Sequence, residues 1–172
     1  MNRTLYEETQ RFALWVYILM FVMVFGTLAV MVGVGKDPGN PESEPIPTGI
    51  VGLTMAGLLL VCNLMVLRVR VREEDIYVSL GVLFPMMWRR VRIASIQNQR
   101  VVKYNPLRNA GGWGMRMGMF ESKPTTFFNA RGDRGVLLEM DTRPILVGSQ
   151  NPEPLAEAIA RAREQYAKTH GM

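Results

Sequence analysis

Cysteine and histidine are almost missing from this chain. The single cysteine, Cys62, excludes a disulfide scaffold, and the single histidine, His170, lies two residues from the end, out of reach of any domain interior. No His, Cys and carboxylate residues share metal-ligand spacing, and no nucleophile elbow of the G-x-S-x-G type occurs. No catalytic centre, no cofactor, no metal and no small-molecule substrate are therefore expected. Sixteen glycines and ten prolines, without a short period, exclude collagen and low-complexity disorder. The most informative absence is of charge, because two long stretches carry none at all.

Phe12 to Val34 is an uncharged run of 23 residues, and Ile50 to Leu67 a second of 18. As helices they would extend roughly 34 and 27 Å, against a bilayer hydrocarbon core of about 30 Å. Soluble helices rarely lack a polar stripe over six turns, so the pattern predicts two transmembrane spans at 12–34 and 50–67. The first run is too long for a signal-peptide core and lacks a small-residue cleavage pattern behind it. The connector at 35–49 holds Lys36 against Asp37, Glu42 and Glu44, with prolines at 38, 41, 45 and 47, and reads as a short extended loop. Arg3 and Arg11 precede the first run and Arg68, Arg70 and Arg72 follow the second. The positive-inside bias then places both termini on the cytoplasmic side of a bacterial inner membrane, with 1–11 as an N-terminal cytoplasmic segment. Trp15 and Tyr17 are expected at the headgroup level.

Small residues stand one turn apart at Ala29 and Gly33 and at Gly52 and Ala56, where helix backbones can approach closely. They serve either to pack the two helices on each other or to receive foreign helices. Asn63 is the one strongly polar side chain in either run and is a candidate for an interhelical hydrogen bond.

Beyond Leu67 the period changes from helical to alternating. Residues 68–172 hold 17 Lys and Arg against 10 Asp and Glu, and number 105, enough for one compact domain. Leu67-Arg-Val-Arg-Val-Arg72 sends arginines to one face of a strand and valines to the other. An acidic turn, Glu73-Glu74-Asp75, leads to Ile76–Leu80, which completes a hairpin. Further strands are predicted at Pro85–Val91, Ser95–Lys103, Thr125–Asn129, Val136–Met140 and Ile145–Gly148. The spacing indicates an antiparallel sandwich or barrel. The chain ends on a helix entered at Asn151-Pro152 and stopped at Gly171, with Leu155, Ile159, Ala162 and Tyr166 on one apolar face.

Three segments carry a family resemblance: Asn109-Ala-Gly-Gly-Trp-Gly-Met-Arg116, Arg134-Gly-Val-Leu-Leu-Glu139 and Leu146-Val-Gly-Ser-Gln-Asn-Pro-Glu153. Together with the order of strands first and one helix last, they resemble the pleckstrin-homology-like domains of bacterial membrane proteins with two N-terminal spans, a group mostly without assigned activity. The resemblance covers Leu67 to about Ala162. It implies an antiparallel β barrel or sandwich closed by a C-terminal helix. Phosphoinositide-binding members carry basic residues at the first hairpin turn. Here the corresponding turn is Glu73-Glu74-Asp75, which repels a phosphorylated headgroup.

The glycine-rich segment 111–118 lacks the spacing of a phosphate loop. It is expected to bend the chain, with Trp113 plugging the barrel and Arg116 pairing with a carboxylate such as Glu139, or to contact a partner. Arg68, Arg70, Arg72, Arg89 and Arg90 form the strongest basic signal and are expected at an anionic lipid surface or as a solvated strand face. They lack the interleaved aromatics of a nucleic-acid site. These readings converge on a non-enzymatic docking or scaffolding subunit. Its partners would be other integral membrane subunits, with an energy-transducing complex as one candidate host. The alternative is a sensor of anionic lipid.

Overall fold

The computed structural model describes residues 3–35, 48–81, 85 and 87–171, with side chains for all of these except 30–35 and 48. The described chain divides into two units, Phe12–Asn63 and the remainder. The second unit contains nine strands in two sheets. One sheet is a meander of β1 (Thr4–Arg11), β2 (Val66–Arg72), β3 (Asp75–Leu80) and β4 (Met87–Arg92), in that order. The other is ordered β5 (Ile96–Lys103), β8 (Arg134–Met140), β9 (Ile145–Gly148), β7 (Lys123–Asn129) and β6 (Gly114–Phe120).

β2 shows why the sequence folds this way. Leu67, Val69 and Val71 are fully buried, while Arg68, Arg70 and Arg72 alternate with them on the wetter face. Across from them stand Ile76, Val78 and Leu80 of β3, buried as well. The second sheet contributes Phe127, Leu138, Ile145 and Leu146, all fully buried or nearly so. The last helix, α4 (Pro152–His170), lays Leu155, Ala158, Ile159 and Ala162 onto strands of both sheets. Each such aliphatic side chain contributes about 1.5–3 kcal/mol of burial relative to exposure. Asn151 stands at the N-cap position of α4, but its side chain makes no capping bond; Ser149 Oγ accepts the Asn151 N–H instead, at 3.0 Å.

Three elements were not anticipated. Residues 4–11, expected as a separate N-terminal segment, form β1, paired along its length with β2 from Thr4–Arg72 to Arg11–Val66. The helical unit is thus an excursion that leaves and re-enters one antiparallel ladder at Arg11 and Val66. A short helix, α3 (Pro106–Ala110), is capped by Asn105 Oδ1, which accepts from the Leu107 and Arg108 amides at 3.0 Å, and ends at Gly111 with φ +69°. The glycine-rich stretch is itself a strand, β6.

The transmembrane expectation is overturned: among the described residues no helix is long and apolar enough to cross a membrane. The second run is cut short. Its helix, α2 (Thr48–Leu64), has 17 residues, about 26 Å against a core of about 30 Å. Leu67, expected to end the span, is instead a fully buried residue of β2 opposite Leu80. In the first run Phe12 and Ala13 precede the helix α1 (Leu14–Gly35), whose described side chains end at Ala29. The fold class with a membrane hairpin, the multi-pass inner-membrane location and the membrane-topology assignment of the termini are corrected accordingly. The predicted connector lies, over 36–47, outside the described residues. The all-antiparallel barrel or sandwich expected is corrected in its pairing: the strands form two separate sheets, and within the second β7 runs parallel to β9.

Candidate interaction surfaces

In the helical unit, the described side chains of α1 carry no charge, and large apolar groups are exposed on several sides: Ile18, Leu19, Val22 and Phe25 on α1, Leu53 and Leu59 on α2. Leu53 and Leu59 are 77% and 71% exposed. The two helices line a common cleft of about 270 Å³ with Val24, Thr27 and Leu28 on one side and Ile50 and Thr54 on the other. Both threonine hydroxyls donate back to their own helices, Thr27 to the Met23 carbonyl and Thr54 to that of Ile50. The small residues singled out from sequence lie elsewhere. Ala29, Gly52 and Ala56 are exposed, and a Cβ added to Gly52 would meet nothing within 4 Å. Gly33 belongs to α1, in the part whose side chains are outside the description. Asn63 is half-buried, as is Tyr17, while Trp15 is exposed.

In the two-sheet unit, the arginines of β2 have a partner that the sequence reading missed. Glu7 of β1 accepts from Arg70 Nε at 2.9 Å and lies 3.7 Å from Arg68 Nε. Residues 4–11 lack an alternating apolar face, so nothing in their pattern marks the strand that brings Glu7 to these arginines. Arg90 lies 3.5 Å from Asp75. Arg116 does not meet Glu139; its Nε donates to the Trp113 carbonyl at 3.3 Å, and Trp113 is half-buried. Glu139 instead accepts from Asn98 and from Arg100 Nε, each at 3.2 Å, and Arg100 also grips Glu121. These bonds hold the Glu139 carboxyl below its ordinary range, Asn98 contributing most, and Arg100 does the same for Glu121.

The inward face of β1 is polar. Glu8, 9% exposed, accepts from Ser149 Oγ at 2.6 Å, from the Gln150 amide at 2.9 Å and from the Tyr6 hydroxyl at 2.8 Å. Gln10 Nε2 donates to the Gly148 carbonyl at 2.8 Å. This set ties the first strand to the junction between β9 and α4. Burial, followed by the adjacent Glu8, pushes the Tyr6 phenol well above its usual range.

A groove of about 480 Å³ opens between β4 and β6, the edge strands of the two sheets. Arg89 and Trp88 line it from β4, Arg116 and two methionines from β6, and Arg143 from the turn before β9. Arg89 and Arg116 were singled out from sequence. Arg143 was not, because nothing in its local pattern shows that the turn beside it reaches the far edge of the sheet. Among the described residues no three His, Cys, Asp or Glu side chains are grouped as a metal site. No protein family, curated protein or solved structure matches this chain.

Proposed function

We propose that this chain is a non-enzymatic docking subunit. Its helical unit packs against apolar helices of other polypeptides in a larger assembly, and the two-sheet unit is carried with it as a second contact surface. The observation that supports this reading most is the apolar surface of α1 and α2. A helix that is apolar all round is stable only when covered, and a side chain such as Leu53 or Leu59 contributes roughly 1.5–3 kcal/mol when it passes from water into an apolar contact. The Glu7 pairing of Arg68 and Arg70 weighs against the anionic-lipid alternative, because two of its three leading cations are already engaged within the fold.

The experiment is affinity purification of the full chain at native expression in a mild detergent, with subunits identified by mass spectrometry and their ratio measured. The reading expects one or more polypeptides at fixed stoichiometry, lost when Leu53 and Leu59 are replaced by glutamate while the two-sheet unit keeps its circular dichroism. Recovery of the chain as a lone monomer, or partners indifferent to those substitutions, would overturn it.

A further inference from the structure

We propose that the groove between β4 and β6 is a binding site for an extended acidic peptide, which adds as a strand to the free edge of β6 and sets its carboxylates against Arg89, Arg116 and Arg143. The site lies wholly in the two-sheet unit and is independent of the helical docking above.

Charge is the first argument. Three guanidinium groups line the groove and, among the described residues, no carboxylate does. Several arginines elsewhere in this unit are matched to acids: Arg70 to Glu7, Arg90 to Asp75, Arg100 to Glu121 and Glu139, and Arg134 to Glu153. Others among the described residues, such as Arg72, Arg92 and Arg131, stand singly; what marks the groove is that three guanidinium groups converge on one opening. Among the described residues, none of the three groove arginines forms an ion pair. Arg116 donates to a main-chain carbonyl, and Arg143 Nη1 reaches only the Met117 sulfur, at 2.7 Å. A neutral carbonyl and a thioether are weak acceptors for guanidinium, so a carboxylate entering the groove gains the stronger, charge-assisted bond.

The backbone supplies the second argument and selects a peptide over a small anion. β6 pairs with β7 on one side and is the last strand of its sheet. Asn109 Nδ2 donates to the Met119 carbonyl at 3.2 Å, and Met119 stands opposite Pro124, which has no N–H to offer. The Met119 carbonyl therefore points away from β7. In an antiparallel ladder, residues two apart point the same way, so Met115 and Met117 also present their N–H and C=O groups outward. α3 packs onto the strand at Gly118, where an added Cβ would fall 1.9 Å from the Asn109 carbonyl oxygen. It covers that end, while Met115, Arg116 and Met117 are exposed. An exposed edge of this kind is a template for a further strand.

The third argument is the apolar lining. Met115, Met117 and Trp88 are exposed at the mouth, with Met117 75% exposed, and buried Phe128 and Ile145 form the floor. Methionines adapt to varied apolar side chains. A strand added to β6 sends successive side chains to opposite faces, so carboxylates at neighbouring positions meet Arg143, beside Met117, on one face and Arg116, between the two methionines, on the other, with apolar residues interspersed over the methionine lining.

The test is fluorescence anisotropy of a labelled seven-residue peptide, Glu-Glu-Ile-Glu-Glu-Ile-Glu, which carries carboxylates and an apolar group on each face, titrated with the full chain in mild detergent. Saturable binding is expected. It should weaken about tenfold for each of Arg89→Gln, Arg116→Gln and Arg143→Gln and fall steeply with added salt. Two peptide controls leave the protein unchanged. N-methylation of alternate peptide amides, which blocks strand addition, should weaken binding at least tenfold, and replacement of Glu by Lys should abolish it. Binding that survives N-methylation and is displaced by inorganic phosphate alone would mark a simple anion site and overturn the proposal. So would binding insensitive to the three arginines, or none.

Discussion

Glu8 is the residue through which the first strand is locked to the end of the chain, and its substitutions separate hydrogen bonding from charge. The carboxylate is buried and accepts three donors, from Tyr6, Ser149 and the Gln150 amide. In Glu8→Ala the two hydroxyls can turn to other acceptors, but the Gln150 N–H is fixed. Bonds to a charged group are worth about 1.5–3 kcal/mol each and an orphaned buried donor costs about 1–3 kcal/mol, while relief of the carboxylate's own desolvation offsets part of this. The net cost should be about 3 kcal/mol. For a two-sheet unit of this size that is a fall of roughly 10–15 °C in midpoint. Glu8→Gln should be much milder, about 1 kcal/mol, because its carbonyl can keep the Gln150 N–H while its amide donates to the two hydroxyls. Thermal unfolding followed by near-ultraviolet circular dichroism gives the midpoints. Hydrogen exchange gives the location: the amides of β1 and their partners on β2 should lose protection in Glu8→Ala, while those shared by β8 and β9 keep it. Equal effects of the two substitutions, or a Glu8→Ala cost below about 0.5 kcal/mol, would refute the reasoning.

Other consequences follow from the same geometry. Burial, opposed in part by the neighbouring Asn129 side chain and reinforced by Asp133, pushes the Tyr104 phenol up to about 12, so the folded state holds a proton that the unfolded chain gives up near pH 10. Stability from this group is complete below pH 10 and is lost between about pH 10 and 12, and Tyr104→Phe should flatten that limb of an alkaline denaturation curve. Glu139 and Glu121 are held below the ordinary carboxylate range, so their contribution is present above that range and is lost as pH falls through their folded values. Arg100→Gln should reduce the acid sensitivity of unfolding by removing a partner from both. Gly135→Ala would drive a Cβ to 2.4 Å from the Val147 carbonyl oxygen, and Gly118→Ala one to 1.9 Å from that of Asn109. Backbone cannot yield as a side-chain tip does, so each should cost about 1–3 kcal/mol or more, read as a lowered urea midpoint.

Much of the two-sheet unit was legible where apolar periodicity was clean. β2, β3, β5, β7, β8 and β9 fall within a residue or two of their expected limits, and the buried face of α4 is the one its spacing marks. β1 was illegible because its inward residues are Glu8 and Gln10, whose burial is made tolerable by partners some 140 positions away in the chain. β6 was hidden by its glycines and by exposure on both faces, the signature of an edge strand rather than a loop. The reach of the apolar runs was misjudged because nothing local to Val66 and Leu67 shows that they pair with Arg11 and Leu80 and leave the helix. The groove was half visible: Arg89 and Arg116 stood out as cations, but only the sheet order brings them to one opening with Arg143.

The central claim is that other polypeptides cover the helical unit, and photo-crosslinking in the native host tests it most directly. A benzophenone amino acid at position 53 or 59, both fully helical and strongly exposed, should give a discrete protein–protein adduct with the same partner that co-purifies with the chain. Adducts to lipid or detergent alone at both positions would contradict the account.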